Sequence, residues 1–134
     1  SRLLFTRFCY ENRDRSNIEL ISYQIDSAAC KQAKDRYAET AKACDSTLVK
    51  EIWRTSLPIS HEHDRLNPWQ SDAVWAGDES IIFSAGTCIA RVSAADGRVD
   101  STVTVGEIIN AIAPIPNTDK IIAATKNGIK VEQL

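Results

Sequence analysis

The sequence predicts a mainly β, antiparallel fold: incomplete β-propeller-like blades, about two and a half of them, with one helical insertion. Three observations lead to it. The first is a forty-residue internal repeat in the second half, where Ile81-Ile82-Phe83 leads through a short turn to Ile89, and Ile121-Ile122-Ala123 leads likewise to Ile129. That period suits one blade of short strands. Upstream, Ala73-Val74-Trp75-Ala76 matches in type the apolar stretch Ile109 to Ala113, at a less regular offset. The second observation is turn chemistry, with Asp96-Gly97 and Asn127-Gly128 at hairpin tips where a positive φ is needed. The third is a fainter copy at the start: Leu3-Leu4-Phe5 stands where Ile81-Ile82-Phe83 stands, and Ile18 to Ser22 resembles Ile89 to Ser93. Such an arc falls short of the roughly four to eight blades that close a ring. It offers a binding surface more readily than a central-channel active site.

Taken in order, residues 2–9 and 17–25 read as a strand hairpin joined by the polar tract Glu11 to Ser16. A helical insertion of about 26–46 follows, opened by Asp26 and Ser27 as cap candidates. Cys30, Ala33, Tyr37, Ala41 and Cys44 fall at steps of three and four and share one face. Residues 48–56 form a third strand carrying Ile52 and Trp53, and Leu57 to Ser71 is a long polar loop with Pro58 and Pro68. The repeat units then occupy about 72–105 and 109–133, with strands near 72–77, 80–85, 88–94, 98–105, 109–114, 120–125 and 128–133. Asn117-Thr118-Asp119, behind Pro116, supplies the turn of the last unit. All 134 residues read as a single domain, long enough to bury a core.

A net charge of −2, with Lys and Arg scattered, argues against nucleic acid or anionic membrane as partner. No apolar stretch approaches the roughly 20 residues of a membrane span. The chain opens at Ser1 with neither Met nor a signal-like segment, which reads as the product of trimming. The four cysteines, Cys9, Cys30, Cys44 and Cys88, never form C-x-x-C, which disfavours zinc knuckles and thioredoxin-type chemistry and permits two disulfides. Paired cysteines in a small domain point to an oxidising compartment, such as the periplasm or the extracellular space. Cys9–Cys88 with Cys30–Cys44 is one pattern the strands allow. In an unbroken helix, however, Cys30 and Cys44 lie roughly 21 Å apart at about 1.5 Å per residue, so that bridge needs two short helices. Four reduced thiols are the alternative.

Chemistry-bearing residues are few. His61-Glu62-His63-Asp64 is a cluster of metal-capable side chains, and extended backbone would point His61 and His63 the same way. A third ligand at recognisable spacing is missing, so a solvated or partner-facing loop is the simpler reading, and no cofactor is expected. Cys88 with a histidine would make a Cys/His hydrolase. Yet Cys88 opens a strand after a tight turn, a place for a disulfide or packed thiol rather than an activated one. Nucleophile-elbow, phosphate-loop and nucleotide fingerprints are lacking. Trp75, within an alternating strand, reads as core, whereas Trp69 in its loop suits either an interface anchor or packing of the loop onto its own domain. Two elements could enter a partner's cleft: the loop from Pro58 to Asp72, and the small hydroxyl-bearing turn Ser84-Ala85-Gly86-Thr87, which reads equally as an ordinary hairpin whose residues are chosen for turn geometry.

The opening Leu3-Leu4-Phe5-Thr6-Arg7-Phe8-Cys9, the loop Trp69-Gln70-Ser71-Asp72 and the segment Ile81 to Cys88 together resemble the periplasmic immunity proteins of type VI secretion amidase effectors. The resemblance covers most of the chain and is global, that family having no short diagnostic motif. It implies an exported, β-rich inhibitor without chemistry of its own. Its partner would be a cysteine-type peptidoglycan amidase, whose cleft a loop plugs. The contact would fall on Ser84, Ala85, Gly86 and Thr87, or on Trp69, Gln70, Ser71 and Asp72. Two other classes remain open: a propeller-type envelope adaptor or sensor completed by another chain, and a small Cys/His hydrolase or metal-binding protein.

Overall fold

In the computed structural model, which describes residues 2–12, 15–25, 49–58 and 71–134, every regular element among those residues is a β-strand. Three antiparallel meanders result. The first sheet joins β1 (Arg2–Asn12), β2 (Arg15–Ile25) and β3 (Val49–Pro58). The middle sheet joins β4 (Ser71–Ala76), β5 (Ser80–Ala85), β6 (Cys88–Ser93) and β7 (Val99–Thr104). The last joins β8 (Ile109–Pro114), β9 (Lys120–Thr125) and β10 (Gly128–Gln133). The helical insertion expected at 26–46 lies outside the described residues.

The repeat is visible as topology. β9 starts forty residues after β5, and β10 forty after β6. β8 lies against β4 and also touches β5, while β1 lies against β4 as β5 lies against β8. β1 and β2 thus take the places of β5 and β6, which is the alignment of the faint opening copy. The turns follow the sequence as well: Gly97 (φ 75°), Gly128 (φ 125°) and Asn117 (φ 59°) all adopt positive φ at hairpin tips.

Packing explains the run Ile81-Ile82-Phe83. All three are fully buried, because the middle sheet is covered on both faces. Ile81, Phe83, Ala90 and Val92 join Ile18, Leu20, Trp53 and Leu57 in one core cluster. Ile82 and Ile89 join Ile109, Ile112, Ile121 and Ala123 in a second. An interior strand of this kind cannot alternate apolar with polar, since neither side reaches water. Each such side chain contributes about 1.5–3 kcal/mol by leaving water.

The first and middle sheets are locked at one point. Trp53 of β3, nearly buried, donates from Nε1 to the Ala94 carbonyl at 2.9 Å, and the Arg2 guanidinium donates to the same oxygen. Gly97 closes over the indole: a Cβ there would stand 2.6 Å from Trp53 Cε3. Beyond β7, a second knot forms around Glu107. Its Oε2 accepts from Thr125 Oγ1 at 3.0 Å and pairs with Lys130 Nζ at 3.1 Å, while Asn127 Nδ2 donates to Oε1. These bonds, led by that of Asn127, hold the Glu107 carboxyl down to about 2.

Two predictions follow from these contacts. Gly97→Ala meets both a left-handed φ and the indole, and should cost about 2–4 kcal/mol in urea unfolding. Gly77→Ala has the same φ but nothing within 4 Å, and should cost only about 1–2 kcal/mol; equal losses would show that the Trp53 contact does not limit the site. The second concerns pH. The folded pKa of Glu107 lies below its unfolded value near 4.3, so its contribution is present above that value and fades as pH falls towards about 2. Melting temperature should therefore drop across that window, and Glu107→Gln should flatten the drop. Identical slopes for both proteins would remove Glu107 from the linkage.

Candidate binding surface

The turn expected to plug a partner's cleft is built into the protein's own core. Ser84 is 1% exposed and Ala85 2%, and Gly86 is buried with φ 61°. Thr87 is half-buried. The Gly86 carbonyl accepts the Ile109 N–H at 2.9 Å, and the Thr87 carbonyl accepts the Val105 N–H at 2.8 Å. The turn is therefore stitched to the β7–β8 connection. Small residues stand at 84–86 because the neighbouring backbone lies close, not because a groove has to be entered. While the sheets stay packed, Ser84, Ala85 and Gly86 cannot reach a partner.

Of the second expected segment, Ser71 and Asp72 begin β4 and are half-buried. Ser71 Oγ donates to Thr6 Oγ1 at 3.1 Å, tying β4 to β1, and Asp72 Oδ1 accepts the adjacent Ala73 N–H at 2.9 Å. Trp69, Gln70 and the His61-Glu62-His63-Asp64 cluster lie outside the described residues, as do Cys30, Cys44 and the Cys9 side chain. Among the described residues, no group of three or more His, Cys, Asp or Glu could hold a metal ion.

Cys88 is a free thiol, so the Cys9–Cys88 bridge considered from sequence is not formed. The side chain turns instead onto the first core cluster, where it packs as a small apolar group, with Sγ 3.9 Å from the Ile89 carbonyl. Burial pushes its pKa up, the direction that suppresses thiolate. That setting opposes nucleophilic chemistry.

The structure brings forward a residue that sequence reasoning placed in the core. Trp75 is 40% exposed. It shares a strand face with Ala73, which packs on the first cluster, yet it stands at the level of Arg2, where β1 begins and cover runs out. The β4–β5, β6–β7 and β8–β9 turns converge on this rim. Trp75 lines two depressions, of about 610 Å³ towards Arg91 and the 114–119 turn and about 560 Å³ towards Arg2, Asp78, Glu79 and Asp100.

The rim is ordered by local bonds. Asn117 sits in the left-handed region, Thr118 Oγ1 donates to the Ile115 carbonyl at 2.9 Å, and the Lys120 N–H donates to Thr118 Oγ1 at 3.1 Å. Arg91 reaches Asp119 at 3.2 Å, and Arg98 pairs with Asp100 at 3.0 Å. The Asp96 carboxyl is lowered, chiefly by the Arg98 backbone N–H that it accepts at 3.0 Å. An indole framed by carboxylates and fixed turns can grip a protein surface; it offers no nucleophile with a base. The position of Trp75 one residue before the strand end, ahead of Gly77-Asp78-Glu79, was the available signal.

Compared with protein-family models, with characterised proteins and with solved structures, the chain matches none.

The placement of Ser84 can be tested directly. Ser84→Leu should overpack the core and destabilise the fold by about 1–3 kcal/mol, whereas Ser84→Ala should change it by less than about 1 kcal/mol. A Leu variant as stable as the parent in thermal melts would return this turn to the surface.

Proposed function

We propose that this chain is a protein-binding module of incomplete propeller-like blades, working as an exported inhibitor of a cysteine-type peptidoglycan amidase. The neighbouring inner strands β4 and β8, each followed outward by its own meander, support the blade reading. The inhibitor reading rests on the resemblance to amidase immunity proteins together with a surface suited to binding. The observation that carries the binding role is Trp75, exposed between two depressions on an ordered rim. Large aromatic side chains in such settings dominate interface energetics, and surrounding charges mainly set orientation and association rate. Occlusion then comes from this rim rather than from the Ser84 turn.

The test is titration of the purified chain into a panel of cysteine-type peptidoglycan amidases. A cognate enzyme should lose activity at one equivalent of the chain. Trp75→Ala should weaken that inhibition about 30-fold or more, the loss of a hot spot of roughly 2 kcal/mol, with folding unchanged because the indole is not core. Inhibition undiminished by Trp75→Ala would move the contact elsewhere, and a panel without any inhibited member would remove the amidase reading.

A further inference from the structure

The two ends of the sheet stack each display one half of an interface that the protein already uses internally. Between the middle and last sheets, Ile82 and Ile89 meet Ile121 and Ala123 in a dry cluster. Forty residues on from Ile82 and Ile89 stand Ile122 and Ile129, on the outer face of the last sheet. Among the described residues, none covers Ile129 and Val131 on that face. Ile129 is 74% exposed and Val131 58%, with Val131 paired to Ile122 and Ile129 paired to Ala124 across the strands. Ala113 extends the same face on β8, and the one charge among the described strand residues of this face is Lys120, opposite Gln133 at the end of β9.

The opposite end shows the complementary half. Leu3 and Phe5 of β1 are the counterparts of Ile81 and Phe83, and those in turn of Ile121 and Ala123. Their neighbour Leu4 points inward to the first cluster, which turns Leu3 and Phe5 outward, 42% and 56% exposed. Ile21, opposite Phe5 on this face, is already buried, and the charges beside it are engaged: Glu19 with Arg7 at 2.7 Å and with Arg54 at 3.2 Å, and Glu51 with Arg54 at 2.9 Å. A partner face can therefore approach Leu3 and Phe5 with the neighbouring charges already engaged, and the Lys120 of that face lies at its end, beside rather than within the Ile122, Ile129 and Val131 patch.

We propose that two copies of this chain dock head to tail, the outer face of the last sheet of one on the outer face of the first sheet of the other. The occupant follows from the repeat: a second copy carries the face that continues the internal stacking, and it does so at both ends. Three sheets per copy give six in a closed pair, within the range of roughly four to eight that forms a ring, whereas three copies overshoot it. A head-to-tail contact that closes makes a discrete ring, and one that does not makes a filament. This proposal is independent of the inhibitor reading, since it uses the sheet faces and not the Trp75 rim.

Light scattering coupled to size exclusion, at tens of micromolar, reads the outcome. The chain should run at twice its 14.8 kDa protomer mass. Ile129→Glu with Val131→Glu should weaken the pair at least about 30-fold, and Phe5→Glu alone should do the same from the other end, because both place a carboxylate in the apolar contact. All three positions are exposed in the single copy, so circular dichroism and melting of the separated variants should match the parent. A monomeric parent protein overturns the proposal. So does a dimer that survives Phe5→Glu, which would mean that the last sheets pair with each other, and so do open-ended polymers or association with a different protein only.

Discussion

Everything in this fold depends on the middle sheet being covered on both faces. β5 carries three consecutive fully buried apolar residues, and each neighbour takes alternate members of that run. The strand therefore serves two cores at once, and a change of register by one residue would exchange their contents. Trp53 adds direction to this packing. Its indole fits only where Gly97 leaves room, and its N–H finds a partner only at Ala94, so the first sheet has one seating on the middle one.

Much of this was legible in the residues. The repeat placed β5, β6, β9 and β10 to within a residue of their observed limits, because apolar triplets bounded by glycine turns leave little freedom. Leu4 and Ile82, aligned in sequence, each face the sheet that follows their own. The candidate site was less legible, and in an instructive direction. Ser84 looked like a surface turn because it is small and hydroxylated, but small residues also mark places where backbone segments pack closely, as the bonds to Val105 and Ile109 show. Trp75 looked like core because it alternates within its strand. Alternation gives the face of a residue and says nothing about how far the neighbouring sheet extends. Both readings missed for the same reason: cover is a property of the adjacent sheet, not of the strand itself.

The chain also separates two kinds of surface. One rim carries turns fixed by local hydrogen bonds and the exposed indole of Trp75, while the other is closed by the Glu107 knot and by the stitched Gly86-Thr87 turn. A rigid rim suits recognition, because little side-chain or loop ordering remains to be lost on binding. The sheet faces run across the stack rather than along its edge, so engagement at the Trp75 rim and docking at the sheet ends do not compete for the same atoms.

Stacked repeats leave a problem at each end, since every unit presents the surface that its neighbour would have covered. The two ends here solve it unequally. The first sheet places the Arg7–Glu19–Arg54–Glu51 network beside Leu3 and Phe5, a polar portion that tolerates water. The last sheet keeps its charge at one end, where Lys120 stands two residues from Ile122; in its middle, where the internal repeat carries Arg91, which reaches out to Asp119, the counterpart forty residues on is Val131. Valine in place of arginine at the equivalent position makes the middle of the terminal face more apolar than the middle of the internal one it copies. A surface merely left over from repetition would need no such change, and a surface meant for water would need the opposite one. The direction of the difference is the one expected of a face that spends its time against another sheet.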